Sequence, residues 1–380
     1  MIAEAWRATP CGKLRARGLG LPFEGQPGLH NAITDVASVE VGYCTLVSGE
    51  GKLVAGKGPI RTGVTAILPR GRAGAQAPCA AGSYSFNGNG EMTGLLWVEE
   101  SGELQTPITI TNTNSCGTAR DATIEWMISG GIGAGQDWSL PVAAETYDGD
   151  LNDINGFHVK RKHVFAALDA AKGGAIELGS VGGGTGMICY DFKGGSGSAS
   201  RMVKAAGREY VVGAFVQSNF GRRPEMMILG VAAGKAMPGN ELRGKSSGSI
   251  IVVIATDAPL LAHQLKRLAR RVPVGLARTG AIGHNGSGDI FLAFSTANED
   301  AFGSATARRQ MEFIRNDELD MLFEGVVQSV EEAVIDSMIA NETMTGIDGR
   351  TAVALPHGQL VRVLSEAGLK LSRPELPLPS

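Results

Sequence analysis

The sequence carries almost no net charge, because 35 lysines and arginines stand against 38 aspartates and glutamates, a formal charge of -3. A balance this close gives no strong field to attract nucleic acid or anionic lipid. No apolar run approaches the roughly 18 residues that a membrane-spanning helix needs. Charged residues precede the first apolar block, so no secretory signal is expected. The sequence therefore predicts neither a nucleic acid nor a membrane as partner.

Cysteine and histidine are also scarce. The five cysteines are odd in number, widely spaced and without a CxxC pair, which argues against a disulfide framework and against a zinc site. His158 and His163 are five residues apart, whereas two metal-binding histidines on a helix usually lie four apart. We expect no metal, no organic cofactor and a reducing, cytoplasmic location.

Glycine is the residue in excess, with 54 among 380, and it indicates many tight turns and close backbone approaches. Strand-like alternation and helical periodicity are interleaved, which predicts a layered α+β fold. No shift in composition marks a boundary, so residues 1–380 are read as a single domain. Predicted strands include 39–45, 64–68, 108–110, 211–216, 250–255 and 289–296. Predicted helices cover 115–129, 160–171 and 318–340. A further helix is expected to be opened by Thr256, Asp257 and Pro259, with Leu261, Leu265 and Leu268 facing inward.

Residues 231–248 are polar and rich in turn formers, and we predict an exposed loop there. The loop ends at Gly248-Ser249, which places a nucleophile after a residue able to adopt strained backbone angles and before a buried strand. Attack of the Ser249 hydroxyl on the Gly248 carbonyl would give an ester, and its hydrolysis would leave Ser249 as a new amino terminus. That amine, with a reference pKa of about 7.7–8.0, could accept the hydroxyl proton. From spacing alone, an ordinary turn is the commoner interpretation of Gly-Ser before a strand.

A set of long, ordered motifs resembles one known family over nearly the whole chain. The motifs are NAITDVASVEVGY (31–43), FNGNGEMTG (86–94), ITNTNSCG (110–117), ETYDGDLNDINGFHV (145–159), VGGGTGM (181–187), GSIIVVIATDAPLL (248–261) and NGSGDIFLAFST (285–296). Together they are similar to the DmpA family of self-processing aminopeptidases. The resemblance implies a serine aminopeptidase, amidase or esterase that removes amino-terminal residues from short peptides, amides or esters.

The resemblance also implies the architecture. It predicts a four-layer αββα sandwich of the DmpA and ornithine acetyltransferase type, which is like the Ntn hydrolases but differs in strand connectivity. The chain would be cut into a large subunit, 1–248, and a small subunit, 249–380, which stay together. A homo-oligomer, namely a tetramer of such cleaved heterodimers, is the expected assembly.

Four positions carry the family's nucleophilic chemistry by this resemblance. Gly248 and Ser249 match the self-cleavage site, and Ser249 matches the nucleophile. Ser287 and Asp289 match two helper positions, at which an acidic group could orient the amine and a hydroxyl could relay a proton. Some β-aminopeptidases have glutamate in place of Asp289.

Further positions match the family's substrate-binding groups. Tyr147 and Asn219 match the oxyanion site, since a phenol and an amide both donate hydrogen bonds to developing negative charge. Glu145 matches a carboxylate that accepts the substrate's free amine. Asn89 and Asn112 lie in matching motifs and are expected to shape the pocket.

Two other motifs are discounted. VGGGTG (181–186) resembles a phosphate-binding loop but precedes a strand-like run instead of a helix. A Ser249, His284, Asp289 triad has the right residue types, but His284 lies outside the family motif. Two alternatives remain open, namely an acyltransferase of the ornithine acetyltransferase type, which typically uses threonine, and an uncleaved binding protein.

Overall fold

The computed structural model describes residues 3–75, 77–132, 138–239, 242, 248–302 and 307–372. The strands in chain order are β1 Glu40–Ser48, β2 Ile60–Leu68, β3 Cys79–Gly88, β4 Glu103–Leu104, β5 Ile108–Asn112, β6 Val142–Thr146, β7 Ile188–Cys189, β8 Phe192–Lys193, β9 Gly195–Ala205, β10 Arg208–Phe220, β11 Gly248–Thr256, β12 Gly288–Ser295, β13 Met344–Thr345 and β14 Thr351–Ala352. The α-helices are α1 Glu4–Arg7, α2 Leu95–Ser101, α3 Cys116–Ser129, α4 Arg161–Asp169, α5 Ala233–Ala236, α6 Ala262–Ala269, α7 Val272–Arg278, α8 Asp320–Ile339 and α9 His357–Glu366. Within these described residues, every helix is too short or too polar to cross a bilayer.

Two sheets form the middle of the molecule. The smaller sheet has the order β1-β2-β5-β6, and the larger has the order β4-β3-β12-β11-β10-β9. Apolar side chains from both sheets, such as Ile110 of β5 and Ile251 of β11, belong to one continuous buried cluster. The sheets therefore pack face to face.

Helices cover the outer face of each sheet. Val64 of β2 packs with Ala119 of α3 and Val164 of α4 in a second buried cluster. Residues of α6, α7 and α8 pack against the outer face of the larger sheet in a third. The layers are thus helix, sheet, sheet, helix, which confirms the predicted αββα sandwich.

The predicted positions of the main strands and helices are confirmed, but two local predictions need correction. The helix that Thr256, Asp257 and Pro259 were predicted to open begins at Ala262 instead. Thr256 remains in strand β11, and Asp257 accepts a hydrogen bond from the Val211 amide. The stretch 231–248 is not a wholly exposed loop, since α5 lies in it and Met237 is buried. The other residues of that prediction, 240, 241 and 243–247, lie outside the described residues.

Candidate active site

Ser249 lies at the start of β11, near the middle of the larger sheet. Strand β11 pairs with β10 on one side and with β12 on the other, and its apolar run is fully buried. Gly248 has φ of 65°, a left-handed conformation that favours glycine. Ser249 itself is only 7% exposed. The sequence therefore holds this hydroxyl on a rigid strand directly after a conformationally special residue.

A backbone amide fixes the Ser249 hydroxyl. The N–H of Gly288, at the start of β12, donates to Ser249 Oγ at 3.0 Å. A side chain at position 288 would place its Cβ 2.4 Å from the carbonyl oxygen of Asn89, so only glycine allows this approach. Sequence reasoning missed this contact, because a backbone donor has no side-chain signature.

Ser287 and Asp289 form a buried pair beside β11. The Ser287 hydroxyl donates to Asp289 Oδ1 at 2.5 Å, and the Asn87 amide donates to Asp289 Oδ2 at 3.1 Å. Asp289 stands opposite Ile250 in the parallel pairing of β11 with β12. Burial raises the pKa of the Asp289 carboxyl, and the two hydrogen bonds limit that rise. The pair thus places a carboxyl with a raised pKa beside the start of β11.

Asn219 and Tyr147 lie on the other side of Ser249. Asn219 is opposite Ser249 in the antiparallel pairing of β10 with β11. Its amide group donates to the Tyr147 carbonyl at 2.7 Å, and its oxygen accepts from the Ile188 amide at 2.9 Å. The Tyr147 side chain is about half exposed and packs over Gly149. The geometry joins the two predicted oxyanion residues to each other.

Glu145 is a buried acid near the end of β6. Its carboxylate accepts hydrogen bonds from the Glu91 amide at 2.9 Å and from the Thr113 hydroxyl. Burial raises the pKa of Glu145, while these two neutral donors oppose the rise. Among the residues that the structure describes, no lysine or arginine forms an ion pair with it. A carboxylate in this setting suits a cationic ligand.

A cavity of about 420 Å³ brings several of these groups together. It is lined by Asn89, Gly90, Glu91, Thr113, Glu145, Tyr147, Asp150, Gly248, Ser249 and Gly286. Ser287 and Asp289 instead line a smaller, mainly apolar cavity of about 100 Å³. Ser249, the predicted nucleophile, thus borders the wide acidic cavity, and its neighbour Ile250 borders the narrow apolar one.

The remaining predicted positions have distinct partners. Asn89 borders the wide cavity and donates to the Gly286 carbonyl at 2.8 Å. Asn112 is buried and donates to the Thr62 hydroxyl at 2.8 Å. His284 Nε2 lies 3.0 Å from both carboxylate oxygens of Glu225, so its ring already has an acidic partner. Across the described ranges, no group of three or more histidine, cysteine or acidic side chains could hold a metal ion.

Comparison with known proteins identifies the family. The model of peptidase family S58 matches residues 31–352. The chain belongs to peptidase family S58. The resemblance to the DmpA family is thereby confirmed, and so is the assignment as a peptide-bond hydrolase of the aminopeptidase type. This excludes the non-enzymatic binding protein considered above.

Relatives of this S58 chain agree over nearly their full length. The β-peptidyl aminopeptidase BapA of Sphingosinicella microcystinivorans is 50% identical over 367 residues, covering 93% of this chain and 92% of the relative. The L-aminopeptidase D-Ala-esterase/amidase of Ochrobactrum anthropi, described as a variant of the Ntn hydrolase fold, is 46% identical with a TM-score of 0.89. Those two structures align over 94% of this chain and 99% of the other. A β-aminopeptidase of Burkholderia sp. is 44% identical with a TM-score of 0.85, covering 94% and 100%.

Proposed function

We propose that this S58 enzyme cuts itself between Gly248 and Ser249 and then uses the new amino-terminal Ser249 as its nucleophile. The observation that carries the proposal is the position of Ser249, after a left-handed glycine and at the border of the acidic cavity. The Ser249 hydroxyl attacks the Gly248 carbonyl carbon, the C–N bond breaks, and an ester forms. Water then cleaves the ester and leaves a Gly248 carboxylate and a free Ser249 amine.

The free amine is the general base of the aminopeptidase reaction. The Gly288 N–H occupies a lone pair of Ser249 Oγ, which leaves the hydroxyl proton available to the amine. Oγ attacks the substrate carbonyl, and the protonated amine passes its proton to the leaving group. Water hydrolyses the resulting ester. Ser287 and Asp289, paired at 2.5 Å, orient the amine.

The negative charge that develops on the substrate oxygen needs hydrogen-bond donors. The Tyr147 phenol and the Asn219 amide supply them, because Asn219 faces Ser249 across β10 and β11 and also holds the Tyr147 backbone. Donors fixed before the reaction stabilise the oxyanion without reorganising, which is usually the largest catalytic contribution.

Glu145 selects substrates with a free terminal amine. It lies in the wall of the same cavity as Ser249, and its present donors are neutral. A cavity of about 420 Å³ holds a small number of residues, so short peptides, amides and esters fit. Because relatives are named β-peptidyl aminopeptidases, β-amino amides are included among the substrates beside α-amino amides.

The same proposal covers assembly and location. Buried ion pairs join residues on both sides of the cut, such as Arg201 with Glu332 at 2.6 Å, so the two subunits would remain together. We place the enzyme in the cytoplasm, where its five free thiols would stay reduced, as a tetramer of cleaved heterodimers.

Intact-mass analysis of the native protein tests the cut. The expected result is two co-purifying chains, residues 1–248 and 249–380, with serine as the amino-terminal residue of the smaller one. A fully active preparation that contains a single uncut chain would refute the mechanism. Transfer of the acyl group to added ornithine in preference to water would support the acyltransferase alternative.

A further inference from the structure

Asp148 is fully buried directly beneath the cavity wall, next to Tyr147. Its Oδ1 accepts a hydrogen bond from the Asn152 side chain at 2.9 Å. Its Oδ2 is equally buried and has no hydrogen-bond partner within the described structure. An ionised carboxylate buried in this way would be costly, because one of its oxygens has lost its water without gaining a donor.

A second unpartnered oxygen lies in the same polar cluster. Asn112, at the end of β5, donates its amide to Thr62, while its own Oδ1 has no donor. A half-turn of this amide exchanges its oxygen and nitrogen with almost no change of shape. A proton on Asp148 Oδ2 would then find an acceptor in Asn112, and both deficits would be removed together.

The groups that face Asp148 carry no charge. Thr62 comes from β2, Asn112 from β5 and Asn152 from the turn after β6, and the backbone of Gly186 closes the fourth side. Burial, with no cation to oppose it, raises the pKa of Asp148 to about 7, and the three polar neighbours limit that rise.

The charged residues nearest along the chain already have partners of their own. Asp150 pairs with Arg350 at 3.2 Å, and Asp153 pairs with His158 at 2.9 Å. The Arg61 guanidinium donates to backbone carbonyls, among them those of residues 48, 49, 60 and 345. Within the described residues, none of these charges contacts the Asp148 carboxyl.

We propose that Asp148 is a neutral carboxylic acid in the working enzyme and that it positions Tyr147 for the reaction by hydrogen bonding to Asn112 and Asn152. It is a positioning residue, since it acts through its neighbour. The inference rests on the proposed function in one respect, the role of Tyr147 at the oxyanion.

The turn explains how the effect reaches the site. The Asp148 carbonyl accepts hydrogen bonds from the amides of Leu151 and Asn152, each at 3.0 Å. The Asn152 side chain in turn accepts from the Arg61 amide at 2.9 Å, which ties the turn to β2. At the other end of the turn, the Tyr147 carbonyl accepts a hydrogen bond from the Asn219 side-chain amide. A charge on Asp148 would demand new donors and so displace the turn that carries Tyr147.

Melting temperatures of uncut proteins test the protonation state without requiring catalysis. Asp148→Asn is compared with its parent in the Ser249→Ala background from pH 4.5 to pH 7.5. If the pKa of Asp148 is raised in the folded protein, its contribution to stability is greatest below pH 3.8, the pKa of an ordinary aspartate. That contribution is lost as the pH rises toward 7, the pKa in the folded protein. The parent's advantage over Asp148→Asn should therefore shrink by about 3–5 °C across this range. An advantage that stays constant or grows with pH would show an ionised Asp148 and overturn the proposal.

Asp153→Asn is the matched control in the same turn. Asp153 Oδ2 accepts from the amides of Gly56 at 2.7 Å and Gly58 at 3.2 Å and also contacts His158. This substitution should lower the melting temperature at both ends of the pH range. If Asp148→Asn behaves in the same way, Asp148 is an ordinary ionised acceptor and the proposal fails.

Activity tests the positioning role. In the otherwise native chain, Asp148→Asn should keep kcat within about threefold of the native value at pH 6. Asp148→Ala should lower kcat by about tenfold or more, but by no more than the roughly hundredfold that loss of one oxyanion donor costs. The ratio of Asp148→Asn to native kcat should rise by about threefold between pH 6 and pH 8.5 at unchanged KM. A flat ratio would remove the link to Tyr147. An uncut but active native chain would refute the proposed mechanism and leave the melting comparison valid.

Discussion

The N-terminal segment packed on helix α8 and the surroundings of Ser249 both bury acidic side chains, but they partner them differently. On α8, Glu332 forms ion pairs with Arg17 at 2.8 Å and with Arg201 at 2.6 Å, and Asp336 forms one with Arg15 at 2.7 Å. Around Ser249, the partners of the buried acids are hydroxyls and amides. A cationic partner favours the ionised form of a buried acid, whereas neutral donors leave the acid able to take a proton or a substrate cation.

The pKa shift of Glu332 follows this difference, whereas burial raises the pKa of Asp336 in spite of the opposing charge of Arg15. Burial alone would raise the pKa of Glu332, but Arg201 and Arg17 hold it down at about 2. Burial raises the pKa of Glu145, Asp148 and Asp289, whose neutral neighbours compensate only in part. Perturbed acids of this second kind cluster at functional sites. Glu145, Asp148 and Asp289 are therefore candidates for acids that serve the proposed chemistry.

Removing the nucleophile should have the largest effect. Ser249→Ala is expected to give one uncut, folded chain whose activity is lower by at least about a thousandfold, since no hydroxyl remains to attack. Ser249→Cys should still cut, more slowly, because a thiol is also a nucleophile. Electrophoresis and kcat/KM for an alanine anilide measure both outcomes. Normal cutting in Ser249→Ala would place the nucleophile elsewhere.

Removing the ion pairs of Glu332 on α8 should lower the free energy of unfolding, although Glu332 has no part in the proposed catalytic reaction. Glu332→Gln leaves Arg17 and Arg201 buried beside a neutral group, which costs about 3–5 kcal/mol of unfolding free energy. The measurement is urea unfolding in the uncut Ser249→Ala background. Asp317→Asn is the control, because the Arg315–Asp317 pair is exposed and should contribute nothing measurable.

The pH dependence of that loss is a second check. The folded pKa of Glu332, about 2, lies below its ordinary value of 4.5, so its contribution is full above pH 4.5 and declines as pH falls toward 2. The gap between the parent and Glu332→Gln should narrow over this range. A gap that stays constant between pH 4.5 and pH 2 would mean that Glu332 is not ionised in the folded protein.

Periodicity and composition were enough to predict most of the fold. Helix 115–129 and strand 250–255 matched because their apolar residues face a core on one or both sides. The predicted start of α6 was wrong because the Asp257 carboxylate accepts a hydrogen bond from the Val211 amide instead of capping the helix. This contact joins residues 46 positions apart, so the local sequence does not indicate it. Helix α8 is buried on every side in its second half, residues 328–339, which includes polar side chains whose burial the sequence pattern does not indicate.

The site was predictable only in its side chains, and only through resemblance to a family. Spacing alone could not separate Gly248-Ser249 from a turn. The Gly288 amide is 39 residues from Ser249 and carries no side chain to read. Asp148 lies inside a recognised motif, yet its protonation depends on Thr62 and Asn112, which only the folded chain brings to it. Such properties arise from tertiary packing and burial.

An intermediate effect is expected at Glu145, the acid proposed to bind the substrate amine. Glu145→Gln removes the charge that would pair with a substrate ammonium, at a cost of about 1.5–3 kcal/mol, or about ten- to a hundredfold in kcat/KM. N-acetylated alanine anilide should be a poor substrate of the native enzyme, because its blocked amine leaves Glu145 desolvated and unpaired. The four rate constants, two substrates with two proteins, measure this. Equal native rates on both substrates would remove Glu145 as the amine-binding group.

The smallest effect is expected at His284, which sharpens the comparison because this residue borders the same small cavity as Asp289. Its ring contacts the Glu225 carboxylate at 3.0 Å, and with Arg222 it lowers the pKa of that acid against the opposing effect of burial. His284 is thus hydrogen-bonded to an acid other than Asp289. His284→Ala should change kcat/KM by less than about threefold, since the Ser249 amine supplies the base. A thousandfold loss, the size expected for a member of a catalytic triad, would instead make His284 the base and refute the free-amine mechanism.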